Sequence, residues 1–165
     1  MDLLFAVRHT TSLHVTADWF STARPVELLG VPTRMLGLEE IIATKVYLAA
    51  RDRFDGADIV HLIRAAAGRV DWRRIIDLLH GDEEILLWHL VLFQIVYPGL
   101  VDYLPTDLMQ RSFDQLKASW SSPADRRRFR GTLLDPEVFA VDVLDWGHED
   151  NRERMPLVDH DGAAL

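Results

Sequence analysis

Cysteine is absent from the 165 residues. That excludes disulfide staples, thiolate zinc and iron–sulfur centres and a cysteine nucleophile, and it suits a reducing compartment. Lysine is scarce: Lys45 and Lys117 stand against sixteen arginines. Long apolar runs are missing as well. The longest, Ile85 to Tyr97, is interrupted by His89 and Gln94 and falls short of the roughly 18 to 20 residues a membrane span needs. The opening Met1 to Arg8 has an acid where a secretory leader needs a base, and its apolar part is too brief. These absences lead to the expectation of a cytoplasmic protein without a membrane partner. No Gly-rich phosphate loop, His-x-Glu-x-His or Gly-x-Ser-x-Gly pattern occurs, so P-loop, zinc-hydrolase and serine-triad chemistry lack their residues.

What is present fits a single domain. At 18.9 kDa with 48% hydrophobic residues, the chain can bury about two-thirds of its unfolded surface without covalent help. The formal charge of −8 is uneven, because residues 135 to 165 carry nine acids and two arginines. The remainder is near neutral, which argues against a general nucleic-acid surface. The run Arg126-Arg127-Arg128-Phe129-Arg130 reads as a solvated helix face rather than a phosphate site.

Periodicity divides the chain. Residues 2 to 7 and 12 to 16 read as a strand pair, Asp18-Trp19-Phe20 as a short helical turn, and Val26 to Leu29 with Val31 to Leu36 as a hairpin about Gly30. Pro25 and Pro32 are tolerable there only at edges or strand starts. From Gly37 the period becomes helical: 38–53, 55–67, 72–80, 83–97 and 106–120 are expected helices, with Gly68-Arg69, Gly81-Asp82 and Pro105 as punctuation. The fourth is apolar on nearly every side and should be the central one. The expected class is α+β, with short strands in 1–36, helices in 37–120, a basic turn and mixed segment in 121–150 and an acidic tail in 151–165.

Lys45 is the sharpest local anomaly. On a helical wheel begun at Leu38 it falls inside the stripe formed by Leu38, Ile42 and Ala49. An inward ammonium must snorkel, pair with an acid or meet a ligand's negative charge. In an arginine-rich chain, a lysine there suggests that a compact point charge is wanted. The plain alternative is an ion pair with Asp52 or Asp55. The run Arg51-Asp52-Arg53-Phe54-Asp55-Gly56-Ala57-Asp58 likewise has two readings. Asp55 can serve as an N-cap with Asp58 at the dipole-favoured third position, or these acids and arginines can converge with Lys45 on a polyphosphate or a hydroxyl to be activated. His89, within the apolar fourth helix, reads as a satisfied core histidine.

Leu36-Gly37-Leu38-Glu39-Glu40-Ile41-Ile42-Ala43-Thr44-Lys45, with Arg51 to Ile63, resembles the middle of a bacterial family of nucleotidyltransferase-like proteins. These belong to the DNA polymerase β-like superfamily and are distantly related to toxins of AbiE-type abortive-infection systems. Met1 to Phe5 followed by Asp18-Trp19-Phe20, His89 to Phe93 with Tyr97-Pro98, and Arg130 to Leu134 with Val141-Asp142-Val143 and Trp146-Gly147 are similar too. The resemblance implies transfer of a nucleoside monophosphate from a nucleoside triphosphate to an acceptor, with Mg²⁺ held by carboxylates. It implies Asp2 as a metal ligand, Lys45 as a nucleotide-binding residue and Asp55 or Asp58 as the catalytic acid, and the convergence of acids and arginines on a polyphosphate adds Arg51 and Arg53 to the nucleotide contacts. The superfamily's Gly-Ser turn and following Asp-x-Asp strand are missing: no Gly-Ser dipeptide occurs, and Asp159-His160-Asp161 is the one Asp-x-Asp. The expected consequence is a partial sheet whose front strands would precede Met1 or come from elsewhere, leaving this chain inactive alone. The alternatives are a non-catalytic nucleotide-binding or protein-interaction module, in a toxin–antitoxin pair or a homodimer, and an unrelated helical domain in which Lys45 is purely structural.

Overall fold

The computed structural model describes residues 17–49, 53–121 and 126–150. The expected strand pair in 2–16 and the acidic tail lie outside them. A 3-10 turn, Ala17–Phe20, leads into an antiparallel hairpin of β1 (Arg24–Leu28) and β2 (Val31–Met35). Helices α1 (Leu38–Lys45), α2 (Gly56–Ala66), α3 (Trp72–Leu79), α4 (Glu83–Val96) and α5 (Thr106–Ser119) follow. The last described part holds β3 (Arg128–Phe129), α6 (Ala140–Leu144) and β4 (Glu149–Asp150), with β3 and β4 paired in parallel. The class is α+β.

Apolar stripes assemble the helices. Ile42 and Ala43 of α1 meet Ile59, Val60 and Ile63 of α2, Ile75 and Leu79 of α3, and Leu86, Leu90 and Phe93 of α4 in one core that also encloses Trp19. Helix α1 packs on α2 and α3, α2 on α4, and α4 on α5. The glycines and Pro105 fall where the sequence places them. Ala67-Gly68 and His80-Gly81 turn left-handed at the ends of α2 and α3, Asp71 caps α3 by accepting from the Arg74 amide at 3.1 Å, and Pro105 directly precedes α5.

Three expectations need correction. The helix expected over 38–53 ends at Lys45. The Val46 carbonyl accepts a 3.1 Å bond from His89 Nε2, the Tyr47 hydroxyl donates to Asp82 at 3.0 Å, and Ala49 bridges to Phe54. Those long-range partners replace the next helical turn. Helix α4 is buried at Leu86, Leu87, His89, Leu90 and Phe93 but brings Trp88, Ile95 and Val96 to the surface, so its uniform apolarity overstated its burial. The basic run is no helix face. Arg128 and Phe129 form β3, and Arg130 is half-buried between Asp82 and Glu84, 2.6 Å from the latter.

Among the described residues no helix is long and apolar enough to cross a membrane.

Candidate functional site

The early end of α1 builds the candidate site. After Val46 the chain turns, and the Asp55 amide donates to the Leu48 carbonyl at 3.2 Å, so Arg53 and Asp55 return beside Lys45, at the start of α2. Lys45 Nζ lies 2.6 Å from Asp55 Oδ2 and 2.7 Å from Asp58 Oδ2. Arg53 Nε closes on Asp55 Oδ1 at 3.0 Å. Exposure separates the two acids that share the ammonium: the side chains of Lys45, Asp55 and Asp58 are 20%, 7% and 58% accessible. Asp55 holds the N-cap position of α2 but makes no capping bond with its side chain. Its carboxylate is taken up instead by the Lys45 ammonium and the Arg53 guanidinium.

The electrostatics define what this corner can do. Partial burial opposes the charged ammonium, but the bonds and charges of Asp55 and Asp58 outweigh it and raise the Lys45 pKa. Burial likewise opposes the Asp55 carboxylate, yet Arg53 and Lys45 hold its pKa below the ordinary value. Lys45 therefore stays a cation and Asp55 an anion near neutrality. Neither is poised as a general base, which needs a pKa near the working pH. Two cations and two anions leave the cluster neutral.

Aromatic side chains border it. Phe54, between Arg53 and Asp55, folds its ring over the first turn of α2, where a Cβ on Gly56 would meet the ring and push it aside. The ring stacks on Trp88 at 5.4 Å, and Trp88 stacks on His89 at 5.1 Å. Phe54 and Trp88 are about half-exposed, while His89 is fully buried with no hydrogen-bond partner at Nδ1 among the described residues. Burial lowers the His89 pKa against the raising effect of the Val46 carbonyl. Sequence reasoning missed this stack. Its one local signal is an aromatic residue inside a charged run, and Trp88 lies 34 positions further along.

Lys45, Arg53, Asp55 and Asp58 are thus brought together. Arg51, Asp52 and Asp2 lie outside the described residues. Among the described residues no group of three or more histidine, aspartate or glutamate side chains converges on a point where a metal ion could sit. Asp55 and Asp58 do converge, but the Lys45 ammonium occupies the place between them. The described carboxylates therefore do not fit a Mg²⁺ ion. No protein-family model matches the chain, and neither a curated protein nor a solved structure matches it.

Proposed function

We propose that this chain is a nucleotide-binding module of the nucleotidyltransferase type, acting in the cytoplasm and non-catalytic with the described residues alone. The observation that carries this reading is the unequal hold on Lys45. Asp55 grips the ammonium from a buried position, and Asp58 grips it from an exposed one. An exposed ion pair contributes about 0 to 1 kcal/mol, so a triphosphate bearing several negative charges can displace Asp58 while Asp55 keeps Lys45 aimed. Arg53 supplies a second donor, and the half-exposed Phe54–Trp88 pair offers a face for the base, a contact worth about 1–3 kcal/mol for stacked bases. In this assignment Asp55 positions Lys45 and Asp58 is its exchangeable partner. Transfer of the nucleoside monophosphate would require Mg²⁺ and carboxylates beyond this cluster, with Asp2 as the resemblance's candidate ligand.

A second reading, a protein-interaction module such as one half of a toxin–antitoxin pair, is favoured by α5. Every residue from Phe113 to Ser119 is exposed, and Phe113, Leu116 and Trp120 stand exposed on one stripe.

The test is calorimetric titration of the full chain with ATP or GTP plus Mg²⁺, and separately with tripolyphosphate. Wild type should bind, Asp58→Asn should bind about tenfold more tightly, and Lys45→Met should lose binding. Absence of binding in both wild type and Asp58→Asn would refute the nucleotide reading.

A further inference from the structure

The end of α1 is imposed from a distance. The helical pattern of the sequence runs on to Arg53, and the Val46 amide still bonds the Ile42 carbonyl at 3.1 Å. Beyond it the ladder tightens, with the Leu48 amide on the Lys45 carbonyl at 3.0 Å and the Ala49 amide on the Tyr47 carbonyl at 3.1 Å. The carbonyl of the fully buried Val46 is left without a backbone donor among the described residues. A buried carbonyl needs a donor, and His89 Nε2 supplies it from α4 at 3.1 Å.

The same ring reaches the other side of the return. It stacks on Trp88 at 5.1 Å and on Phe54 at 6.1 Å, and Phe54 stands between Arg53 and Asp55. One buried side chain thus bonds the chain one residue after Lys45 and stacks on it one residue before Asp55. Core filling does not explain a histidine there. A leucine would fill the space with no polar atom to satisfy, whereas His89 buries an Nδ1 that has no partner among the described residues. Because a carbonyl only accepts, Nε2 carries the proton. That donor is what the imidazole offers and an aliphatic side chain lacks.

Without it, the nearest replacement partner for the Val46 carbonyl is an amide of the next turn, which means a continued helix. Carried to Arg53, such a helix would advance the chain about 12 Å along the α1 axis. It would break the 3.2 Å bond from the Asp55 amide to the Leu48 carbonyl and the bridge between Ala49 and Phe54. Asp55 would then leave the Lys45 ammonium.

We infer that His89 is a positioning residue for Lys45: its hold on the Val46 carbonyl and its stack against Phe54 end α1 at the lysine and bring Asp55 back to it. The consequence for nucleotide affinity rests on the nucleotide-binding reading; the positioning does not.

The two lysines of the chain provide an internal reference. Lys45 is paired and 20% accessible, and Lys117 is exposed. Competitive acetylation of the folded full-length protein, read by peptide mass spectrometry, therefore reports on Lys45 as a ratio to Lys117. His89→Phe keeps a ring for the stack and deletes the donor, His89→Leu deletes both, and His89→Gln keeps a donor. The first two should raise the Lys45-to-Lys117 ratio about tenfold, the scale of one lost hydrogen bond, and weaken binding of ATP with Mg²⁺ by a similar factor. His89→Gln should hold both near the wild type. An unchanged ratio in a folded His89→Phe or His89→Leu variant would overturn the inference, as would a ratio raised equally by His89→Gln. Loss of cooperative urea unfolding in both donor-less variants would also overturn it and make His89 a structural core residue. A ratio that responds as expected in a protein that binds no nucleotide would support the positioning and refute the nucleotide reading alone.

Discussion

The Lys45 corner and the β1–β2 hairpin solve opposite problems. At the corner, charge that burial would penalise is fully answered: one ammonium, one guanidinium and two carboxylates neutralise one another within about 3 Å. At the hairpin, apolar side chains stay exposed and Leu29 holds a left-handed backbone, with no cover among the described residues. A satisfied cluster acts on a ligand only by exchanging a partner, and an unsatisfied surface acts only by acquiring one. On the proposed reading, the corner takes a small anionic ligand that competes with Asp58.

The largest expected effect breaks the corner. Lys45→Met leaves Asp55 buried with Arg53 as its remaining described cation and should cost about 2–3 kcal/mol in urea unfolding, below the 3–5 kcal/mol of a fully buried pair because Lys45 is partly exposed. Asp58→Asn should cost under about 0.5 kcal/mol. Equal losses from the two variants would contradict the unequal hold on Lys45.

Next comes the pH dependence of the wall behind the corner. The folded His89 pKa is lowered, so its neutral form contributes stability that is fully present above the ordinary value of 6.5 and is lost as pH falls toward the folded value. The proton would arrive at Nδ1, which has no partner among the described residues. Unfolding free energy should fall below pH 6.5 by up to about 1.4 kcal/mol per pH unit, one proton's worth. His89→Gln retains a donor for the Val46 carbonyl and should flatten that slope. The Asp55 carboxylate adds a lower window, with its contribution present above pH 3.8 and lost as pH falls through its depressed value. The hairpin's own strain gives a modest effect in the other direction: Leu29→Asn, which suits the left-handed loop, should raise stability by about 0.5–1 kcal/mol.

The sequence and the fold agree most where the signal is local. Gly68, Gly81 and Pro105 mark helix ends whatever packs around them, because left-handed turns and a missing amide are properties of those residues. The inward position of Lys45 followed from helical spacing alone, and the pair with Asp55 was one of the two readings that spacing allowed. The end of α1 was illegible. Its break depends on His89 and Asp82, 43 and 35 positions from the groups they bond. The Phe54–Trp88 stack and the buried Glu40, bonded to Arg74 34 positions away at 3.0 Å, were hidden for the same reason. Distant partners leave no trace in a periodicity. Asp55 shows the converse: its capping role is a sound local expectation, overridden when a partly buried ammonium and a guanidinium claim the same carboxylate.

The measurement closest to the central claim is the affinity of full-length Asp58→Asn for ATP with Mg²⁺, set beside that of the wild type. If Asp58 is the exchangeable partner of Lys45, its neutral form should bind about tenfold more tightly, and Lys45→Met in the same background should abolish the gain. Equal affinities, or no binding by either protein, would contradict the exchange and leave Lys45 as a structural ion pair.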